Sequence, residues 1–214
     1  MKIGILGSGT VAQTLAAGFL KKGHQVTLGT RRPDTLAAFS AAHPGALVAG
    51  VDAAAAFGEL IVLAVKGGAA VDVLRAAGAA QLAGKTVIDA TNPIADAAPV
   101  DGVVTFFTGP NESLLERLQA AFPTARLVKA FNSVGAAAMV DPQFAGGPPT
   151  MFIAGNDAAA RAQVAGLLAQ FGWDVADMGT AVAARAIEPL AMLWCIPGFR
   201  DNDWHHAFRL LRNS

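Results

Sequence analysis

An apolar run, Lys2–Leu6, ends directly in Gly7-Ser8-Gly9-Thr10-Val11-Ala12, and apolar residues then recur at helical spacing over 11–20. A strand that turns into a helix through G-x-G-x-x-A is the opening of a βαβ unit that takes a dinucleotide. Gly7 suits the tight turn out of the strand. Gly9 removes a side chain where a pyrophosphate approaches the backbone, and Ala12 lets helix pack on strand. The free N–H groups and the dipole of the helix start favour an anion there. A glycine pair alone is common in turns; the strand before it and the helix after it give the motif its specificity.

The same alternation continues along the chain. Strands are predicted at Gln25–Gly29, 46–48, 60–65, 86–90 and 126–131, with helices opening at Pro33 and over Val51–Phe57, 66–74 and 111–122. Near-continuous apolar character marks strands buried on both faces, as in a parallel sheet. The stretch 141–149 holds Asp141-Pro142, Gly146-Gly147 and Pro148-Pro149 and divides 1–145 from 146–214. Beyond it the pattern predicts strands at 150–154 and 173–177, helices at 157–171 and 181–194, and a helical tail at 201–211. The expected fold is α/β: a Rossmann-type doubly wound, mostly parallel sheet. A small C-terminal lobe is expected to extend the sheet and close a cleft against the first part.

Which dinucleotide fits is set at the end of the second strand. An NAD site places Asp or Glu roughly 20 residues after the glycines to bind the ribose hydroxyls. Here that strand ends Leu28-Gly29-Thr30-Arg31-Arg32, with no acid between Gly7 and Pro33. A carboxylate would repel a 2′-phosphate, whereas a hydroxyl and two guanidinium groups supply charge-assisted bonds to it. Thr30, Arg31 and Arg32 are the candidate 2′-phosphate residues, and NADP(H) the expected cofactor.

Composition narrows the rest. The chain has 16 basic and 16 acidic residues among 214, with no basic stripe for nucleic acid or an anionic membrane. The one cysteine, Cys195, allows no intrachain disulfide and suits a reducing compartment. No signal-peptide pattern precedes the first strand. No uninterrupted apolar run approaches the roughly 18 residues that span a bilayer. A cytoplasmic protein with a small-molecule partner, and no nucleic-acid or membrane partner, is expected.

Several ordered segments extend the reading. They are Gly4-Ile5-Leu6-Gly7-Ser8-Gly9, Gly29-Thr30-Arg31, Asp89-Ala90-Thr91-Asn92-Pro93, Val128-Lys129-Ala130-Phe131-Asn132, Ile153-Ala154-Gly155-Asn156-Asp157 and Asp177-Met178-Gly179. With them the chain resembles the F420-dependent NADP oxidoreductases, and also the NADPH-binding domain of the STEAP metalloreductases. The resemblance implies hydride exchange between NADPH and a flavin-like acceptor, a cleft between two lobes, and a homodimer. It implies that Ser8, Gly9, Thr10 and Val11 line the pyrophosphate and that Ala64, Val65 and Lys66 meet the middle of the cofactor. Asn92 and Pro93, with Phe131 and Asn132, are placed near the nicotinamide, at strand ends where open α/β sheets bind ligands. Val65-Lys66-Gly67-Gly68 and Phe131-Asn132-Ser133 depart from the F420-linked pattern, so the acceptor stays open among F420, FMN and FAD.

No catalytic acid–base set and no metal site are expected. His24 and His43 read as surface residues, and the adjacent His205 and His206 would point apart on a helix. Lys66 reads equally as a phosphate contact or a solvated charge, and Lys129 equally as structural. Arg185 and Glu188, three apart, read as a surface pair. Ring-to-ring hydride transfer needs placement and exclusion of water, since the cofactors carry the chemistry. The absence of tyrosine rules out a Tyr–Lys carbonyl reductase. The alternatives are a flavin-mediated metal reductase and a non-catalytic NADP(H) sensor.

Overall fold

Strands buried on both faces need apolar residues at nearly every position, and the computed structural model, which describes residues 1–213, shows where they lie. The strands β1 (Lys2–Leu6), β2 (Gln25–Gly29), β3 (Ala46–Ala49), β4 (Leu60–Leu63), β5 (Thr86–Asp89) and β6 (Arg126–Lys129) form one sheet, in the order β3-β2-β1-β4-β5-β6. All its pairings are parallel. The helices are α1 (Thr10–Lys21), α2 (Ala37–Ala42), α3 (Val51–Phe57), α4 (Ala70–Ala77), α5 (Ala79–Leu82), α6 (Leu114–Ala121), α7 (Ala158–Gln170), α8 (Ala184–Ile187) and α9 (Pro189–Asp201). Strand order reverses between β1 and β4, as in the doubly wound Rossmann arrangement.

Strand periodicity sorts the core into two layers. Ile3 and Ile5 of β1, with Leu60 and Val62 of β4, pack beside Leu15 and Phe19 of α1 and Val164 and Leu168 of α7. Leu6, Ile61 and Leu63 face the other way, onto Leu74 of α4 and Leu115 and Leu118 of α6. Ser113 caps α6 by accepting from the Glu116 N–H at 3.2 Å, while the Glu116 carboxylate accepts from the Ser113 N–H at 2.9 Å.

Two expectations about the C-terminal part are corrected. β7 (Thr150–Ile153) and β8 (Asp174–Asp177) do not extend the sheet; they pair with each other in parallel as a separate two-stranded sheet. β7 meets β6 at an isolated antiparallel bridge, where the Lys129 N–H donates to Ala154 O at 2.8 Å. The chain crosses the edge of β6 there so tightly that a side chain on Gly155 would collide with Leu127 O. The predicted helical tail does not form either. Asn202, at φ 54°, ends α9 in the left-handed region. The Trp204 ring then fills the space above Gly198, and the Thr150 N–H donates to Phe208 O at 2.9 Å. Tertiary contacts, not helical periodicity, decide these residues.

The helical run Ala181–Asp201, 21 residues, contains an 18-residue window with a mean hydropathy of 1.3; it is long and apolar enough by length and composition to cross a membrane, and 33% of that window is buried in the fold. It contains Arg185 and Glu188; its first turns pack on α6, and Ile196 and Arg200 lie against Gly102.

Phe171, fully buried, joins the C-terminal part to the main core: its ring lies 4.8 Å from that of Phe19 and 6.1 Å from that of Phe131. Phe171→Ala is expected to lower unfolding stability by about 3–5 kcal/mol. A denaturant titration read as a midpoint shift at constant slope checks this. A loss below about 1 kcal/mol would mean that the aromatic contact does not join the two parts.

Candidate functional site

Ligands of open parallel sheets bind beyond the carboxyl ends of the strands where the order reverses. In this chain that point lies between the exits of β1 and β4. Gly7 leaves β1 at φ 143°, and a Cβ there would collide with Ala64 O at the exit of β4. The Gly7 N–H donates to Gly29 O at 3.0 Å, which draws the β2 end to the same place. Gly9 caps α1 in extended conformation with no side-chain hydrogen bond, and a Cβ added to it would meet nothing within 4 Å. The start of α1 thus faces open space with its N–H groups unmasked. Gln13 Nε2 pins the loop by donating to Ser8 O at 2.8 Å.

Ser8, Gly9, Thr10 and Val11 form one wall of a groove of about 480 Å³, and Ala64, Val65 and Lys66 form the other. Thr30, Arg31 and Arg32 line its end. Thr30 is nearly buried, and its Oγ1 accepts from the Arg32 N–H at 3.1 Å, so the hydroxyl shapes the turn that carries the arginines. Both guanidinium side chains are exposed.

A second compartment of about 550 Å³ meets the first along Val65, Lys66 and Ala90. Its walls are Gly67, Thr91, Asn92, Ile94, Ala95, Asp96 and Ala97. The exits of β4 and β5 touch here, since a Cβ on Gly67 would collide with Asn92 O. Lys66 and Asp96 pair at 3.3 Å across the rim, both largely exposed, where such a pair contributes little to stability.

Three of the expected site residues line neither compartment. Asn132 is buried behind the wall: its Nδ2 donates to Ile187 O at 3.0 Å and to Asn92 Oδ1 at 3.2 Å. Asn92 Nδ2 returns a bond to Asn132 O at 2.7 Å, so this pair ties the exits of β5 and β6 together. Phe131, at φ 62° and 2% exposed, turns its ring into the core beside Phe171. Pro93 is buried, and its carbonyl accepts from the Phe107 N–H at 2.8 Å.

One cluster escaped the sequence reading. Lys129 is fully buried, with Nζ 2.6 Å from Asp89 Oδ2 and 2.9 Å from Glu188 Oε1. It also donates to Thr91 O at 2.8 Å. The Asp89 Oδ2 contact is short but poorly directed for a hydrogen bond, so charge holds that oxygen. Burial pulls the Lys129 ammonium towards losing its proton, but Asp89 and Glu188 together push its pKa above the ordinary lysine value. The signal was present: Asp89 and Lys129 are register partners, each ending a strand that is otherwise largely apolar. The expected surface pair of Arg185 and Glu188 is corrected. Glu188 belongs to this cluster, while Arg185 grips Glu116 with bonds of 2.7 and 3.0 Å. The Arg185 bond holds the Glu116 carboxyl below the usual carboxylate range.

Among the described residues, the ionisable side chains lining the two compartments are Arg31, Arg32, Lys66 and Asp96, and no group of His, Cys, Asp and Glu is arranged to hold a metal ion. His43 stacks on Phe39, 4.4 Å between centroids. His206 stacks on Trp194 in the non-helical tail, with centroids 5.1 Å apart. Cys195 is half-buried, and burial pushes its thiol pKa up, away from reactivity.

A family model described as NADP oxidoreductase, coenzyme F420-dependent, matches residues 2–93. A crystal structure from Arthrobacter sp. FB24, assigned as an F420-dependent NADP reductase, is 38% identical, with 99% of this chain and 100% of that one covered and a TM-score of 0.93. The metalloreductase STEAP3 of Rattus norvegicus is 31% identical over 201 residues, which is 92% of this chain but 38% of that protein. This chain therefore spans well under half of the curated relative. A reductive aminase from Aspergillus terreus, solved with NADPH and ethyl-5-oxohexanoate, is 24% identical over 94% of this chain and 62% of its own, with a TM-score of 0.68. It shares the fold.

The two loop glycines make opposite predictions. Gly7→Ala strains both backbone and packing and should lower the unfolding midpoint. Gly9→Ala should leave that midpoint unchanged but raise the Kd for NADPH by about tenfold or more, equivalent to about 1.4 kcal/mol. Thermal unfolding and a fluorescence titration check the pair; NADPH binding unaltered in Gly9→Ala would remove the loop from the site.

Proposed function

Because this chain belongs to the family of coenzyme F420-dependent NADP oxidoreductases, we propose that it transfers hydride from NADPH to the ring of a flavin-like acceptor, F420 or FMN or FAD. The single observation that carries this is the pair of contiguous compartments at the strand-order reversal, joined along Val65, Lys66 and Ala90. The first fits NADP(H): an uncapped helix start, the cradle that a Cβ on Gly9 would enter, and the hydroxyl and guanidinium groups of Thr30, Arg31 and Arg32 in place of a ribose-binding acid. The second is walled largely by small and uncharged residues, which suits a flat ring.

NADPH held there would supply the hydride, with solvent as the source of the balancing proton. The chain's own part is to hold and to shield. The amides at the start of α1 bind the pyrophosphate, Arg31 and Arg32 neutralise the 2′-phosphate, and Ala90, Thr91 and Asn92 shape the floor on which the two rings meet. No side chain in the compartments is asked to move a proton, in keeping with chemistry that resides in the cofactors. From the balanced charge and the family resemblance, the proposal extends to a cytoplasmic homodimer with a small-molecule redox partner and no nucleic-acid or membrane partner.

Anaerobic stopped-flow mixing of the NADPH-loaded protein with F420, FMN or FAD tests the reading. Oxidation of NADPH by at least one of them, saturating with acceptor, is expected. Tight NADPH binding with no oxidation by any would favour the sensor instead. In parallel, the double variant Arg31→Ala/Arg32→Ala should weaken NADPH binding by about ten- to a hundredfold, the scale of one hydrogen bond to a charged group. NADH binding should barely change. An unaltered NADPH-to-NADH affinity ratio would overturn the 2′-phosphate assignment.

A further inference from the structure

We infer that Lys129, acting through Asp89 and Glu188, is a positioning residue: it fixes Thr91 and Asn92, the part of the floor on which the proposed hydride transfer is staged. The inference rests on the reading above and adds to it a group that touches neither ring.

An ammonium group has three protons, and three oxygens surround this one: Asp89 Oδ2 at 2.6 Å, Glu188 Oε1 at 2.9 Å and Thr91 O at 2.8 Å. Each carboxylate is engaged further. Asp89 Oδ1 accepts from the Thr91 N–H at 2.9 Å and from Thr91 Oγ1 at 2.6 Å. Glu188 accepts from the N–H groups of Leu114 and Leu115, at 2.8 and 3.0 Å, where α6 begins. Thr91 is therefore gripped at its N–H, its hydroxyl and its carbonyl by one connected set of charges, and the next residue, Asn92, is cross-tied to Asn132. Thr91 and Asn92 line the second compartment. The cluster joins the exits of β5 and β6 to the start of α6 and to the joint between α8 and α9.

Stability alone does not account for such a group. Buried ion pairs are commonly matched or exceeded in stability by apolar residues of similar volume, and the preceding register pair, Ile88 with Val128, is apolar. What an apolar pair lacks is direction. Bonds aimed at the Thr91 backbone fix its orientation to a fraction of an ångström, the tolerance that ring-to-ring transfer demands. Asp89, Thr91, Lys129 and Glu188 do not line the first compartment, which holds the glycine loop and Thr30 to Arg32, so cofactor affinity and transfer rate should separate.

The test compares the wild-type chain with Lys129→Met, with Glu188→Gln, and with the charge-free triple variant Asp89→Asn/Lys129→Met/Glu188→Gln, whose amide oxygens keep acceptors for the Thr91 and α6 N–H groups. Lys129→Met alone strands two buried carboxylates and is the variant most prone to unfold; the triple variant removes that penalty. For each folded protein the unfolding midpoint, the Kd for NADPH and the single-turnover rate of NADPH oxidation by F420, FMN or FAD are measured well below the lowest midpoint. The triple variant is expected to fold, to bind NADPH within about twofold of wild type, and to oxidise it at least about tenfold more slowly. A wild-type transfer rate in the folded triple variant overturns the inference, as does failure of all three variants to fold, which would make the cluster purely structural. If the wild-type protein oxidises NADPH with none of the acceptors, the functional reading fails instead. The inference is then judged on the fluorescence lifetime of the bound nicotinamide: a shorter lifetime in the triple variant supports it, and an unchanged one overturns it.

Discussion

A charge with no access to water has to be answered on every side, and Lys129 imposes that requirement on the middle of this molecule. Its ammonium draws together Asp89 from the neighbouring strand, the Thr91 carbonyl from that strand's exit, and Glu188 from a helix joint 59 residues further along the chain. Removing one partner of such a buried set costs about 3–5 kcal/mol, because the remaining charge is stranded. Glu188 in turn supplies acceptors to the first amides of α6, which are otherwise orphaned at a helix start. The sheet, the helix that covers one of its faces and the C-terminal helices are thus mutually dependent at a single point, directly behind the wall of the groove.

The other constraint is closeness of backbone. Where strand order reverses, the exit of β1 meets that of β4 at Gly7 and Ala64, and the exit of β4 meets that of β5 at Gly67 and Asn92. Neither contact tolerates a Cβ. These approaches bring the strand ends near enough to share two compartments, one beside the amides of α1 and one beside Thr91 and Asn92. Gly9 has a different reason to be glycine. Its backbone is extended and unstrained, and the space beside it is open, as required of a position reserved for a ligand.

Much of this was legible in the sequence, because apolar runs and glycine turns are local signals. β1, β2 and α3 have the predicted limits, and the glycine loop, Thr30 to Arg32 and Ala64 to Lys66 line one groove. What escaped depends on contacts distant in sequence. The tail at 201–211 carries a helical pattern but is held extended by Trp194, whose indole N–H donates to His206 O, and by Thr150. Strands at 150–153 and 174–177 have the composition of sheet strands, yet form a ladder with each other and reach β6 through a single antiparallel bridge, where the chain crosses the edge of β6 at Gly155. Phe131 and Asn132 follow a strand end, as site residues do, but the left-handed turn at Phe131 swings one into the core and the other towards α8. Asp89, Lys129 and Glu188 have no common spacing. The matched charges ending β5 and β6 were the available sign.

On the proposed reading the chain catalyses by placement: the first compartment would hold the phosphates, the second a flat ring, and the strand exits between them the floor that both share. Oxidation of NADPH carrying deuterium at both C4 positions, followed in a single turnover in H₂O and in D₂O, tests that account most directly. Direct ring-to-ring hydride transfer predicts a clear slowing from the C4 deuterium and a rate unchanged by D₂O. A rate indifferent to C4 deuterium but slowed in D₂O would contradict it, because a proton held by the protein or solvent would then limit the reaction.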